Sequence, residues 1–196
     1  MKTNSFVLLA FWMASVIPLI SLPKPEPQFE DHVQEVMRAF RQKDTRALNE
    51  MIHPERGLMI VFRPGVFNNY YHFKEVDLNE PHPHYLPEIT DSVDHQIAYE
   101  SLPTFSCDEY VWNKTGLFCD TTSVDHLLSR TAQNRIRYDL GEVTDEEIQA
   151  FTDLENNSRK VVLADNVGRS LMFSLTPIDG KWYLTIIDLV RNDCST

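Results

Sequence analysis

The amino-acid sequence predicts an α+β domain. In it, N-terminal helices pack on a curved antiparallel sheet, a cone or roll, which ends in a long C-terminal β-hairpin. The first observation is a run of apolar residues at helical spacing between positions 29 and 52. The second is the alternating pattern of residues 159–190, which is typical of two long strands joined at Asp179-Gly180. Helices therefore precede the main strands, as in many α+β folds.

The sequence predicts two helices in the N-terminal third of the domain. Apolar residues recur on one face of a helix over positions 29–43, namely at Phe29, Val33, Val36, Met37 and Phe40. Asp44 can cap a second, shorter helix, because a carboxylate at this position accepts a hydrogen bond from a free backbone amide. His53-Pro54 ends that helix, since a residue before proline is disfavoured in the helical region.

The middle of the chain predicts shorter elements. Residues 57–63 form an apolar strand closed by Pro64-Gly65, and residues 70–78 a second strand. Prolines interrupt residues 79–104, and residues 105–118 predict a short hairpin turning at 113–116. Helices follow at 123–134 and from Thr144, whose pairing with Glu147 forms a capping box, to about Ser158.

An Asp-Gly pair between apolar strands is the strongest local hairpin signal, because both turn residues must accept positive φ. A two-residue turn here sets the register of the whole hairpin. The opposite pairs on its apolar face are Pro177 with Trp182, Leu175 with Leu184, Phe173 with Ile186, and Leu171 with Asp188. Asp188 is the anomaly, a carboxylate in phase with the core side.

The N-terminus predicts export. Lys2 precedes a nearly unbroken apolar run from Phe6 to Ile20, which is short for a membrane span, and we interpret residues 1–21 as a signal peptide. An uncleaved signal anchor is the alternative. Residues 22–28 form a proline-rich linker, and residues 29–194 a single domain with an extended middle section at 79–158. We expect a periplasmic or secreted protein with no membrane span after cleavage.

The formal net charge of −11 argues against binding to nucleic-acid backbones or to anionic lipid, both of which need basic patches. The expected partner is an unknown small molecule or protein, and a homodimer is possible in principle. No cofactor is expected, because the sequence contains no phosphate-binding glycine loop and no dinucleotide fingerprint.

Three cysteines are present, and in an oxidising compartment two of them are expected to pair. All three pairings are open. Closeness in sequence favours Cys107 with Cys119, although the predicted hairpin register places Tyr110 opposite Cys119. Cys194, just beyond the last strand, is a plausible partner for either.

Two stretches resemble domains of the nuclear transport factor 2-like superfamily. The first runs from Phe40 through Lys43-Asp44 to His53-Pro54, where a long helix, a polar break and a second helix lead into a strand. The second is the closing stretch from Gly180 to Asp188. The resemblance implies a bent sheet wrapped round the first helix, with a cavity open at one end. Members of this superfamily include ketosteroid-isomerase-like enzymes and many binding proteins, so that the fold leaves the function open.

The candidate catalytic residues are Asp188 and His53. Asp188 could act as a desolvated general base, since burial raises a carboxyl pKa, or could lie at a frayed strand end bound to Arg191. His53 lies between the second helix and the first strand, near the expected mouth of the cone. Its alternative role is that of a helix-terminal residue beside Pro54.

Candidate binding residues lie in two further places. Tyr70, Tyr71 and His72 could line a cavity, or could be core residues of a strand. His82 and His84 alternate along an extended segment, so two imidazoles could meet one metal ion, but the same pattern describes an exposed loop.

We therefore expect an exported, non-catalytic binding or interaction module of the cone type. The first alternative is a small lyase- or isomerase-type enzyme that uses a cavity Asp or His as general base. The second is an envelope structural protein with a filled core. An enzyme requires an open cavity with at least two convergent titratable groups, whereas a binding module requires an open cavity or an exposed apolar patch without them.

Overall fold

A computed structural model describes residues 28–84, 86–87, 89 and 96–194. The expected signal peptide and linker, apart from Gln28, lie outside the described residues. No helix in the described part of the chain is both long and apolar enough to span a membrane.

The described residues form four α-helices and a seven-stranded sheet, which confirms the α+β class. The helices are α1 (Phe29–Gln42), α2 (Thr45–Glu50), α3 (Leu127–Arg137) and α4 (Asp145–Asn156). Local signals set two helix starts as predicted. Asp44 Oδ1 accepts from the Ala47 amide at 3.0 Å, and Thr144 and Glu147 form a reciprocal capping box.

The sheet has the order β2-β1-β9-β8-β7-β6-β3. Its strands are β1 (Leu58–Phe62), β2 (Asn69–Phe73), β3 (Ile97–Ala98), β6 (Gly116–Cys119), β7 (Arg159–Ala164), β8 (Ser170–Ile178) and β9 (Lys181–Asp188). A separate two-stranded hairpin joins β4 (Phe105–Ser106) to β5 (Val111–Trp112). Most pairs are antiparallel, but β1 runs parallel to β9 and β3 parallel to β6, so the sheet is mixed.

Each face of the sheet has its own packing partner. On the first face, α1 and α2 cover a continuous apolar core that includes Val36, Ile60, Phe173 and Ile187. On the second face, α3 and α4 cover Val61 and a neighbouring apolar cluster, while the β4–β5 hairpin covers a third cluster around Met172. The polar residues between these two clusters form the site described below.

The C-terminal hairpin turns where the sequence predicts, with φ of +50° at Asp179 and +82° at Gly180. The predicted register holds from this turn to Leu175, which lies opposite Leu184. Beyond that pair the predicted register is wrong by one residue, because a β-bulge leaves Thr185 without an opposite residue on β8.

The bulge changes which face the end of β9 presents. Phe173 therefore lies opposite Ile187 rather than Ile186. Because side chains alternate along a strand, Ile187 enters the first-face core while Ile186 and Asp188 lie on the second face.

Other predicted elements also need correction. The predicted turn at 113–116 is wrong, because β4 pairs with β5 across residues 107–110, and β6 joins the main sheet beside β7. Burial of Leu117 and Cys119 in the first-face core favours that pairing. The strand predicted before Asp179 is divided in two, since Asp165 accepts from the amides of Val167 and Arg169 and so closes a turn.

The disulfide joins Cys107 to Cys194, with 5.6 Å between their Cα atoms. The favoured pairing of Cys107 with Cys119 is therefore wrong. Cys119 lies on β6 and is buried in the first-face core, whereas Cys107 belongs to the turn of the hairpin that covers the second face. Burial raises the pKa of the Cys119 thiol to about 11, so this cysteine is a poor nucleophile.

Candidate functional site

The ion cluster on the second face is built around Lys160. Its ammonium group contacts carboxylate oxygens of both Asp125 and Asp188. All three groups are shielded from water, with side-chain exposures of 10% for Lys160, 16% for Asp125 and 2% for Asp188. Ionised groups are seldom this buried unless they are paired, and here each charge has a partner.

The remaining acceptor positions of the cluster are also used. Asp188 Oδ1 accepts from the backbone amides of Val190 at 2.8 Å and Arg191 at 3.2 Å. Asp125 also forms ion pairs with the guanidinium groups of Arg191 at 2.9 Å and Arg130 at 3.3 Å. The cluster is thus a closed network of ion pairs and hydrogen bonds centred on Lys160.

The electrostatics of Asp125 follow from these contacts. Burial by itself raises the pKa of this carboxyl group, but Lys160 and Arg191 outweigh burial and lower the pKa to about 2. Asp125 therefore remains ionised at every physiological pH.

Buried hydroxyl groups continue this polar strip along the second face. Thr176 Oγ1 bonds Ser158 Oγ at 2.6 Å and Thr185 Oγ1 at 2.7 Å. Thr185 also donates to the Ser174 carbonyl oxygen at 3.3 Å, inside the bulge. These bonds satisfy hydroxyls that would otherwise be costly to bury.

A cavity of about 390 Å³, which we call the Asp188 cavity, adjoins the cluster. The β4–β5 hairpin, the β7–β8 turn and the segment after β9 form its walls. Its lining residues are Pro87, Phe105, Tyr110, Val167, Gly168, Arg169, Ser170, Met172, Asp188, Leu189 and Asn192. The lining combines apolar and aromatic side chains with polar and charged groups.

Two polar atoms in this region are buried without a hydrogen-bond partner among the described residues. They are Ser170 Oγ and Trp112 Nε1. Ser170 lines the cavity, and Trp112 packs against Phe105 of its wall with ring centroids 5.1 Å apart. An unsatisfied buried polar group costs roughly 1–3 kcal/mol, so a hydrogen-bonding partner would stabilise either atom.

The elements that form the walls of the cavity pack closely against one another, and a disulfide links two of them. A Cβ atom placed on Gly168, whose φ is +84°, would lie 2.8 Å from the Tyr110 carbonyl oxygen. Only glycine lets the β7–β8 turn approach the hairpin this closely. Tyr110 itself has φ of +56°, and the Cys107–Cys194 disulfide ties the hairpin turn to the C-terminal segment.

The cluster also borders a smaller cavity of about 290 Å³. Its lining residues are Ser101, Leu102, Asp120, Ser123, Val124, Asp125, Lys160 and Arg191. Asp188 does not line it, whereas Lys160 and Asp125 do, so the ion pairs separate the two cavities.

The contacts of His53 are those of a structural residue at the end of a helix. Its Nδ1 atom accepts from the backbone amides of Glu55 and Arg56, each at 3.2 Å, and its ring packs edge-on against Tyr183 at 4.8 Å. Tyr183 and Asp188 are five residues apart on β9, a distance of roughly 16 Å along a strand. The structure therefore does not bring the two candidate catalytic residues together.

The tyrosines of β2 lie on opposite faces of this strand. Tyr70 packs on Phe151 of α4 at 5.3 Å, while Tyr71 stacks on Phe62 at 4.5 Å. His72 is exposed and its Nε2 lies 2.8 Å from the Arg56 carbonyl oxygen. None of these three β2 residues lines any of the five cavities described in this structure.

The imidazole rings of His82 and His84 are exposed, with centroids 6.0 Å apart, and His82 also packs against Tyr71. No group of three or more His, Cys, Asp or Glu side chains suited to a metal ion occurs among the described residues. The two histidines are placed near each other, as the sequence indicates, but lack a third ligand there.

The interior between α1 and the sheet is filled in the described part of the chain. Apolar side chains from Val33 to Phe40 meet those of β1, β7, β8 and β9. The largest of the five cavities, about 580 Å³, lies instead along α1 and α2 beside the hairpin end, with Arg38, Glu50 and Lys181 in its lining.

No family model, curated protein or solved structure matches this chain.

Of the residues at this site, the sequence indicated Asp188 but not Lys160, Asp125 or Ser170. A usable signal existed for Lys160, because it directly precedes the apolar run from Val161 to Ala164. No comparable local signal marks Asp125 or Ser170, since their roles depend on chain segments distant in sequence.

Proposed function

We propose that this protein is a non-catalytic binding module that takes a small ligand in the Asp188 cavity. The observation that carries the proposal is the position of Ser170, a residue of the cavity lining whose buried hydroxyl has no hydrogen-bond partner among the described residues. A ligand that offers one hydrogen-bonding group to this hydroxyl would remove the cost of leaving it unsatisfied.

The lining indicates the chemistry of the ligand. Phe105, Tyr110 and Met172 favour an aromatic or aliphatic body, and the volume of about 390 Å³ suits a compact molecule. Arg169, the only cation among the described residues that line the cavity, is already paired with Asp165 at 2.8 Å, and Asp188 is paired with Lys160. A neutral ligand with an apolar body therefore fits better than a charged one.

The state of Asp188 supports binding rather than base catalysis. A general base needs a lone pair that can reach the substrate proton, but Lys160, Val190 and Arg191 engage both oxygens of Asp188. His53, the other candidate base, lies at the opposite end of β9.

We further propose that the chain belongs to the nuclear transport factor 2-like superfamily. Support comes from α1, the break at Lys43-Asp44 and α2 leading into β1, together with the closing pair of β8 and β9. Export to the periplasm or the cell exterior is likewise a proposal, supported by the Cys107–Cys194 disulfide, which oxidising compartments favour.

An NMR fragment screen tests the cavity. The full domain, labelled with ¹⁵N, is titrated with phenols, indoles and benzamides, which combine an aromatic body with one hydrogen-bonding group. We expect binding fragments to shift the amide signals of Val167, Gly168 and Asn192. A screen in which no fragment perturbs these signals at millimolar concentration contradicts the proposal.

A matched pair of variants locates the binding. Tyr110→Gly removes one aromatic wall and also suits the positive φ, so the fold should be retained. We expect it to weaken fragment binding roughly tenfold, the effect of losing about 1.4 kcal/mol. Val66→Ser, at an exposed position that does not line this cavity, serves as the control and should bind fragments normally.

A further inference from the structure

The loop between β1 and β2 and the end of α3 together form an exposed apolar surface. We call it the α3 patch, and it consists of Val66, Phe67, Tyr138 and Leu140. Val66 is 79% exposed, and Phe67 packs against Tyr138 with ring centroids 4.5 Å apart. Single exposed apolar residues are ordinary, but a contiguous group of this kind is typical of an interaction surface.

The patch contains a pocket of about 220 Å³. Its lining residues are Pro64, Gly65, Val66, Phe67, Asn68, Asn69, Arg135 and Leu140. This volume is too small for most cofactors but is enough for one bulky apolar side chain of a partner.

Cationic groups adjoin this apolar pocket. Arg135 lines it, and its Nε atom is buried without a hydrogen-bond partner among the described residues. The Arg135 guanidinium group lies over the Tyr70 ring at 5.0 Å, and that of Arg137 lies 5.5 Å from the Tyr138 ring centroid. Neither arginine forms an ion pair with a described carboxylate, although the chain carries a net charge of −11.

The patch is held in place before any partner arrives. The α3 helix ends in a Schellman motif, in which the Leu140 amide donates to the Arg135 carbonyl oxygen at 2.8 Å and the Asp139 amide to that of Ile136 at 3.2 Å. Asp139 takes the left-handed conformation, with φ of +55°. The motif fixes the backbone that carries Leu140 beside Arg135, so this segment loses little backbone entropy on binding.

From this arrangement we propose that the α3 patch docks an acidic, apolar peptide segment of a partner protein. One bulky apolar side chain of that segment enters the pocket, and a neighbouring carboxylate binds the Arg135 guanidinium group. The apolar rim removes water from this ion pair, which strengthens it. A second copy of this chain fits less well, because a two-fold contact through the patch would bring the arginines of both copies together.

The test uses a library of random seven-residue peptides displayed on phage, selected against the immobilised full domain. We expect the enriched peptides to combine Leu, Phe or Trp with Asp or Glu one or two positions away. Enrichment of basic or purely polar peptides, or no enrichment at all, would overturn the proposal.

Synthetic versions of the enriched peptides are then titrated against three variants. Val66→Ser and Arg135→Gln should each weaken binding roughly fivefold to tenfold, a loss typical of an interface contact. Val167→Ser changes another exposed valine, which lies at the Asp188 cavity and outside the α3 patch; this variant is the matched control and should bind as the wild type does. Unchanged binding by Val66→Ser, whose exposed side chain contributes little to the fold, would overturn the proposal independently of any folding defect in Arg135→Gln.

Sedimentation equilibrium separates the peptide from a second copy as occupant. We expect the domain to remain monomeric at concentrations where the peptides bind. A dimer that Val66→Ser dissociates would show that the patch is a self-association surface and would overturn the peptide assignment.

Discussion

Lys160 on β7 binds Asp188 on β9 across the intervening strand β8. The contact exists because the bulge at Thr185 turns Asp188 to the second face, where Lys160 also points. Without the bulge, Asp188 would face the apolar core beneath α1. The ion pair between Lys160 and Asp188 therefore depends on the bulge at Thr185.

Removing the Lys160 ammonium group should be strongly destabilising. Lys160→Met leaves two buried carboxylates without their shared cation, which costs roughly 3–5 kcal/mol of unfolding free energy. Urea unfolding followed by circular dichroism measures the change. Lys181→Met, at an exposed strand end, is the control and should change stability by less than about 0.5 kcal/mol. A similar small change in Lys160→Met would show that the cluster contributes little.

The pH dependence of stability should report on Asp125. Its pKa is about 2 in the folded protein against an ordinary value of 3.8, so the unfolded chain takes up this proton first as pH falls. The stabilisation is thus complete above about pH 5 and is lost progressively as pH falls towards 2, an effect of about 2 kcal/mol.

Urea unfolding between pH 6 and pH 2 tests this linkage. Asp125→Asn should lose less stability than the wild type over the interval from pH 4 to pH 2, because it lacks the titrating group. Parallel pH profiles for the two proteins would contradict the assignment of the shift to Asp125.

The cysteines should differ sharply in reactivity. Iodoacetamide at pH 8 should leave the folded, unreduced protein unmodified, because Cys119 is buried with its pKa raised to about 11 and the other two cysteines are bonded. After unfolding without reductant, mass spectrometry should find a single modified residue, Cys119. Modification of Cys107 or Cys194 instead would refute the pairing.

The same disulfide should contribute substantially to stability. It closes a loop across a sequence separation of 87 residues, for which chain entropy suggests about 4.6 kcal/mol. Cys194→Ser should lower the unfolding free energy by an amount of this order, whereas Cys119→Ala should have a smaller effect set only by packing. Equal stability of Cys194→Ser and the wild type would count against the bond.

The C-terminal turn should not tolerate a β-branched residue. Gly180→Val forces such a side chain to φ of +82° and should cost on the order of 1 kcal/mol or more. Gly65→Val is the matched control, because a Cβ there meets no atom within 4 Å and no positive φ is required. Thermal unfolding compares the two, and equal melting temperatures would disprove the strain at Gly180.

Local signals predicted much of this fold. The cap at Asp44, the capping box at Thr144 and the turn at Asp179-Gly180 lie where the sequence places them. Each depends on hydrogen bonds or φ values within about four residues, so a single sequence contains the information. The apolar stripe of α1 is similarly local.

The errors concern contacts between distant segments. The disulfide partner of Cys107, the incorporation of β6 into the main sheet and the bulge at Thr185 all depend on which surfaces meet after folding. Of the candidate site, the sequence indicated Asp188 alone, and on the wrong face. Its partner Lys160 is separated from it by 28 positions.

The sequence by itself determined the fold class, the helix starts and the hairpin turn, because these follow from periodicity, capping and backbone sterics over a few residues. Only the tertiary structure decided where charge is buried. A one-residue bulge reverses the face of every side chain beyond it, and the cost of burying an unpaired charge then requires Asp188 and Lys160 to meet.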